Sequence, residues 1–476
     1  METGKSNNKG SRAASPEEMA AIANGSSAPR KSSDPRSNGS SAGSDARKKA
    51  GRPGRAPSRS AAAASGSSAS SGNNLPPFVT AIVDHTPLSL TGMDRVRFQA
   101  DRLSKIDARD RSHLRKTVDG FVSRMVNFNA SDMDFGGPST GGFVWFRIDG
   151  DKRPDLNIPR YSMDETNLMI LSMLSRSSMK SLLEWKAADF SQECPSSDGS
   201  RNKRFRATAY FDLGSLALNM RAISEELRSL KSLGFHPSIE KGLMFRYVRD
   251  GLTLITGVTG SGKSTSLDAI VDANNEDVHG HIVVIGKPIE YVHESRKCIV
   301  RHREVGQDVD NFKDGIVQAL RQDPDMVVIG EMRDPATISA ALEITDSGHK
   351  VFSTLHTSSA VESIDRIIAE YPSDEQIRVR NRLADVLRCI VSQKLLPKVG
   401  GGRILAKEVL WMTPSARAAI KNNNTNEIYQ MMWEGWNIGQ ITLEQDLYKL
   451  MRQGLITPET AMNHANNKRR YQQLAK

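Results

Sequence analysis

The sequence predicts an α/β protein: a disordered tail, a mixed α/β domain, a parallel-sheet domain covered on both faces, and a helical C-terminal extension. Three observations predict it. Residues 1–76 hold almost no large apolar side chains. From Leu252 onward, short continuous apolar runs alternate with helical stretches, the pattern of parallel strands buried on both faces. Beyond about residue 412 only helical periods remain. A chain of 476 residues also exceeds one ordinary core, so several domains are expected.

The tail, residues 1–76, is rich in Ser, Gly, Ala, Asn, Arg and Pro. Its runs around Arg47-Lys48-Lys49 and Ala61–Ser71 bury too little apolar surface to offset ordering entropy. Two readings stand for it: a solubilising spacer, or a basic tether for an acidic partner or anionic lipid. Residues 1–75 carry 12 Lys/Arg against 5 Asp/Glu, a net +7 of the chain's +10. The high pI is thus a property of the tail, and a DNA-binding reading of the near-neutral body is not supported. No recognition helix or aromatic–basic platform appears either, so no direct nucleic-acid partner is expected.

Cys194, Cys298 and Cys389 lie far apart, without metal-ligand spacing, as suits a reducing compartment. No apolar run approaches the roughly 18–20 residues of a membrane helix, and no signal-peptide h-region opens the chain. A cytoplasmic location is expected.

In the first domain, residues 77–236, Met93–Asn127 reads as helical with a break near Asp107–Asp110. Phe143–Ile148 reads as a strand and Ser162–Leu183 as a helix with Asp164 and Glu165 in its first turn. Arg204–Tyr210 and Ala217–Arg221 read as paired strands. In residues 237–411 the strands are Leu252–Thr256, Ile282–Ile285, Met326–Ile329 and Val351–Leu355. The helices between and after them are Ser264–Asn274, Phe312–Arg321, Pro335–Ser347 and Ala360–Ala369, with Asp334 as the N-cap of the third. Residues 412–476 carry helices at Ser415–Lys421, Thr425–Trp433, Thr442–Gln453 and Thr457–Asn466.

The strongest chemical signal is Gly257-Val-Thr259-Gly260-Ser261-Gly262-Lys263-Ser264-Thr265. It fits G-x-x-x-x-G-K-[ST] between a strand and a helix, the context that defines a P-loop. Glycines let backbone N–H groups turn inward around phosphates, and the helix N-terminus adds partial positive charge. Lys263 is expected at the β- and γ-phosphates of ATP and the Ser264 hydroxyl on Mg2+. Downstream, the strand Met326–Ile329 places Glu331 just past its C-terminal end, the edge where open α/β sheets bind ligands. A carboxylate there can hold the Mg2+ shell or polarise an attacking water.

A third run is Gly348-His349-Lys-Val-Phe-Ser-Thr-Leu-His356-Thr357. With the Gly330–Asp334 run GEMRD, the Thr354–Thr357 run TLHT, Pro288-Ile-Glu290-Tyr-Val-His-Glu294 and Arg303-Glu-Val-Gly306, the chain resembles the type II/IV secretion and type IV pilus motor ATPases. It resembles their pilus-retraction branch (PilT-like) most, from about Asn129 to about residue 465. The resemblance implies a homohexamer of subunits with a PAS-like N-terminal domain and a RecA-like ATPase domain, binding ATP between them. It implies coupling of hydrolysis to an inner-membrane platform protein, with peripheral membrane association. By the same resemblance, His356 and His349 sense nucleotide state, Glu331 is the Walker B carboxylate, Glu290 belongs to the acidic Asp box, and Arg206 and Arg221 lie near the phosphates.

The chain departs from the family at the Asp box. Glu-Asp-Pro-Ile-Glu is here Gly286-Lys287-Pro288-Ile289-Glu290. Losing one placed base commonly removes roughly 10²–10⁴ in rate. Slow hydrolysis and a nearly inactive nucleotide-binding subunit both follow from that. The family's His after Ala-Ser-Asp is Met133, and the retraction-linked C-terminal motif survives only as Arg417 and Ile420. The assembly branch's four-cysteine zinc site is absent. A pilus-retraction motor is the reading that results, with a conjugative-transfer or type IV secretion ATPase beside it.

Overall fold

Two sheets organise residues 75–194, 202–223 and 227–475, which the computed structural model describes. The disordered-tail expectation lies outside these residues, up to residue 74. The first sheet is antiparallel throughout. In chain order its strands are β1 (Asp132–Gly136), β2 (Trp145–Ile148), β3 (Asp151–Pro154), β4 (Ala187–Cys194), β5 (Lys203–Asp212) and β6 (Ser215–Ala222), and in space β3-β2-β1-β6-β5-β4. The expected pairing of Arg204–Tyr210 with Ala217–Arg221 is the β5–β6 hairpin, with Tyr210 opposite Ala217.

Five helices accompany this sheet: α1 (Pro77–Asp84), α2 (Gly92–Ser104), α3 (Ala108–Asn127), α4 (Met163–Met173) and α5 (Arg176–Trp185). The break between α2 and α3 comes where expected, because Asp107 caps α3 by accepting from the Arg109 N–H. The single helix expected over Ser162–Leu183 is two. Ser162 and Glu165 form a capping box on α4, and Ser175 caps a fresh start at α5 by accepting from Ser178 N–H. A second serine cap inside an apolar period ended the first helix. The apolar faces of α1–α5 share one core with Met133, Phe135, Phe146, Phe205 and Leu218.

The chain then passes through Leu230, Leu233 and Phe235, which pack with the second sheet's core, and α6 (Pro237–Leu243). The second sheet is built from β7 (Gly251–Thr256), β8 (Gly280–Gly286), β9 (Cys298–Glu304), β10 (Met326–Ile329), β11 (Lys350–Leu355), β12 (Leu387–Pro397) and β13 (Arg403–Trp411). Its order is β13-β12-β7-β11-β10-β8-β9, parallel except for the β12–β13 hairpin. Every residue of β7, β10 and β11 is buried, as continuous apolar runs require. Flanking helices are α7 (Lys263–Asp277), α8 (Phe312–Ala319), α9 (Pro335–Asp346), α10 (Ala360–Ala369) and α11 (Gln376–Val386). Asp334 caps α9 as expected, accepting from Thr337 N–H.

Sequence reasoning placed no element at β9, α11, β12 or β13. In β9 the outward Ile299 and Arg301 alternate with buried Cys298 and Val300, an edge-strand pattern that a search for continuous apolar runs passes over. The C-terminal helices are α12 (Pro414–Lys421), α13 (Asn426–Glu434), α14 (Leu443–Arg452), α15 (Pro458–His464) and the unexpected α16 (Lys468–Ala475). The last three bury Leu447, Ile456, Ala461 and Tyr471 against Leu396 and Ala406 of β12 and β13.

Candidate nucleotide-binding site

The loop Gly257–Gly262 joins the end of β7 to the first turn of α7, at the C-terminal edge of the parallel strands. Gly260 and Gly262 have φ of 80° and 88°, left-handed values at which a side chain is strained. A Cβ on Gly260 would meet nothing within 4 Å, so open space rather than packed protein lies beside the loop there. Left-handed glycines just before a helix N-terminus turn successive N–H groups toward one point, an anion nest. Lys263 folds over this concavity, its Nζ donating to Gly257 O at 2.8 Å and Val258 O at 3.3 Å. The Ser261 Oγ is buried with no partner, and no hydrogen bond occupies the Ser264 or Thr265 hydroxyl among the described residues. Thr259 is exposed on the loop. An open cradle, a cation and unspent hydroxyls fit a phosphate chain with a divalent cation.

Three acid–base groups reach the same place from the ends of neighbouring strands. Glu331 follows β10, and its Oε2 pairs with Arg333 at 2.7 Å and lies 3.9 Å from His356 Nε2. His356 follows β11. Glu290 sits in the loop after β8, near enough to act electrostatically on Lys263. Burial pulls the Lys263 ammonium below the usual lysine range, Arg333 adds to that, and Glu290 and Glu331 oppose it. The same environment, burial first and then Lys263 and Arg333, lowers the His356 imidazole, so it is neutral at pH 7. A neutral imidazole can accept or donate a hydrogen bond beside the carboxylate without cancelling its charge.

The altered Asp box lies alongside. Lys287 is exposed, and Gly286 ends β8 opposite Glu304. A Cβ at Gly286 would lie 2.8 Å from the end of the Ile289 side chain and 3.2 Å from Pro288 O, so glycine suits this tight turn. Behind it, His293 Nε2 lies 3.3 Å from Asp268 Oδ1 of α7, and burial raises the Asp268 carboxyl against the opposing effect of His293.

Not every expected residue converges here. His349 precedes β11, at the opposite end of the strand from His356, where its Nδ1 meets Ser347 Oγ at 2.9 Å and Ile344 O at 3.1 Å. A whole strand, roughly 20 Å at about 3.3 Å per residue, separates the two histidines. Arg206 and Arg221 stand opposite each other on β5 and β6, in the first sheet. Arg221 donates to Asp132 Oδ1 at 2.8 Å; Arg206 is exposed and has no ion-pair partner among the described residues. Neither touches the loop. Sequence reasoning assigned no role to Arg204, two residues from Arg206 on the same face. Its guanidinium pairs with Glu304 of β9 at 3.0 Å and so joins the two sheets. Arg333 was passed over too, although it stands inside the GEMRD run.

The likenesses agree with this geometry. The family model for the type II/IV secretion system protein matches residues 201–462. The type IV pilus retraction ATPase PilT of Pseudomonas aeruginosa is 38% identical over 339 residues, which span 71% of this chain and 94% of that protein. A crystal structure of the pilus retraction motor PilT with bound ADP superposes with a TM-score of 0.66 at 36% identity, covering 75% of this chain and 99% of that one. The ATPase DotB of Legionella pneumophila superposes with a TM-score of 0.63 at 27% identity, covering 72% and 95%.

Proposed function

From the premise that this chain belongs to the type II/IV secretion system protein family, we propose that it is an ATP-hydrolysing motor subunit of a pilus-retraction or secretion machine. The observation that carries this reading is the meeting of Lys263, Glu290, Glu331 and His356 at the open, glycine-lined end of β7. In it the nest of Gly257, Gly260 and Gly262 holds the phosphates and Lys263 leaves its two carbonyls to reach them. Ser264 and Glu331 would hold Mg2+, whose chemistry is to neutralise charge building up on the phosphoryl oxygens. Glu331, once released by Arg333, polarises the attacking water, and neutral His356 registers which groups Glu331 engages. Glu290 is the remaining acid of the Asp box and supports the water's position. Arg206 and Arg221 do not reach this loop within one subunit, so in this reading they serve the phosphates held by a neighbouring subunit of the ring.

The assembly proposed is a homohexamer seated against an inner-membrane platform protein. No helix among the described residues is long and apolar enough to cross a membrane. Association with the membrane is peripheral in this reading, and the net +7 of residues 1–75 would favour anionic lipid. Native mass spectrometry with a non-hydrolysable nucleotide tests the ring: six copies of the 52.3 kDa chain are expected, and a monomer at micromolar concentration would contradict it.

A second reading, a nucleotide-binding subunit with little turnover, is favoured by Gly286 and Lys287. Lys287→Asp separates the two. A rise in phosphate release identifies a motor slowed at its Asp box, whereas retained nucleotide binding without turnover in either form identifies a regulatory subunit. A conjugative-transfer or type IV secretion ATPase keeps the same chemistry, and neighbouring pilin or transfer genes distinguish the machine.

A further inference from the structure

Glu304, the last residue of β9, is a buried carboxylate whose side chain is only 7% exposed. Four groups donate to it. Two come from the first sheet: Ser191 Oγ of β4 at 2.8 and 3.0 Å, and Arg204 Nη2 of β5 at 3.0 Å. Two come from its own domain: Gln307 Nε2 at 2.6 Å and the backbone N–H of Ile289 at 3.2 Å. Glu304 Oε2 thus accepts from Arg204 and from Ile289 at once. Ile289 is buried, and the next residue is Glu290, the Asp-box acid that acts on Lys263.

We propose that Glu304 is a positioning residue that transmits docking of the first sheet, through Arg204, to the placement of Glu290 beside Lys263. A buried carboxylate needs its cation; without Arg204 it keeps only neutral donors. The carboxylate then turns toward solvent, which weakens its hold on the Ile289 amide. The loop has room to respond. A cavity of about 420 Å3, lined by Arg115, Arg204, Ile289, Val292, His302 and Glu304 among others, lies between the sheet and the loop. The second domain contact nearby is a hydrogen bond from Ser177 Oγ to Gly306 O, two residues past Glu304. Withdrawal of the first sheet therefore releases the β9 end and the Asp-box loop together.

Sheet docking in this account sets rate rather than affinity, because the phosphate cradle at Gly257–Gly262 makes none of these contacts. The inference rests on the ATPase reading for its kinetic consequence but not for its structural one, and two measurements on the full chain keep them apart. The first is hydrogen–deuterium exchange of the segment 287–292. Arg204→Ala and Glu304→Ala are expected to speed exchange at the Ile289 amide by about tenfold or more, with Arg204→Lys restoring part of the protection. Unchanged exchange in Arg204→Ala overturns the coupling, whatever the turnover.

The second measurement is steady-state phosphate release. Both alanine variants should lower kcat by about 10- to 100-fold, with KM and the Kd for a fluorescent ADP analogue within about twofold of wild type. In a Glu290→Gln background the Arg204→Ala change should cost nothing further, because the residue acts through Glu290. A full, additive loss in that background would overturn the proposal in favour of a general packing role. Wild-type turnover equal to that of Lys263→Ala would remove the ATPase reading and leave the exchange result to decide the coupling.

Discussion

Glu331 is held at 2.7 Å by Arg333, which is two-thirds exposed, so the carboxylate proposed to act on water is engaged by a surface guanidinium. Exposed pairs of this kind are weak, about 0–1 kcal/mol, and easily exchanged for a ligand cation. Glu331→Gln should therefore keep nucleotide affinity and lose about 10²-fold or more in turnover, read by paired binding and phosphate-release assays. Lys287→Asp should raise turnover, since the side chain is exposed and the change restores the family's charge at no packing cost. Gly286→Glu is a poorer test, because its Cβ crowds Ile289 and Pro288. At this scale the convergence of Gly257–Gly262, Glu290, Glu331 and His356 was legible, each standing in a short local run just past a strand. Arg204 with Glu304 was not, because its partners lie 100 residues apart and no local pattern marks them. His349 shared a run with His356, yet a strand points its two ends in opposite directions.

β11 joins two different environments. At one end is His356; at the other is Lys350, fully buried, whose Nζ donates to Gly242 O of α6 at 2.9 Å and to Val248 O, between α6 and β7, at 2.8 Å. Burial lowers this lysine to about 7, from an ordinary value of 10.5. Between those values the unfolded chain binds the proton and the folded one does not, so stability rises with pH from about 7 to 10.5 and the penalty is full below 7. Lys350→Met should flatten that rise, of the order of 3–4 kcal/mol in denaturant titrations at pH 7 and 10.

β13 carries the opposite case. Burial, aided by Glu444, pushes Glu408 up to about 7 despite the amides of Ala360 and Leu443. Its contribution is present below about 4.5 and is lost as pH rises to about 7. Glu408→Gln should therefore melt a few degrees above wild type at pH 8 and lose that advantage at pH 5. Glu408 accepts from the Ala360 N–H at the start of α10, four residues after His356, so its charge bears on the same end of the sheet. Helices with serine, threonine or aspartate caps and fully apolar strands were legible. The β12–β13 hairpin was not, since its buried Lys407 and Glu408 interrupt the apolar pattern.

Over the whole molecule, an antiparallel sheet leans on a parallel one through Arg204, Ser191 and Ser177, and the phosphate cradle lies on the parallel sheet alone. In the proposed reading, binding belongs to one domain and rate to both. The change in strand pattern near Leu252 was legible in the sequence; the contact between the two sheets was not, because charge pairs across an interface leave no period in the sequence.

The central claim is that the loop around Lys263 binds ATP for hydrolysis. Phosphate release by the purified full chain, compared with Lys263→Ala, tests it most directly. Turnover, slow but clearly above that of the variant, is expected, together with loss of nucleotide binding in the variant. Equal release by the two proteins, with nucleotide still bound by the wild type, would contradict it.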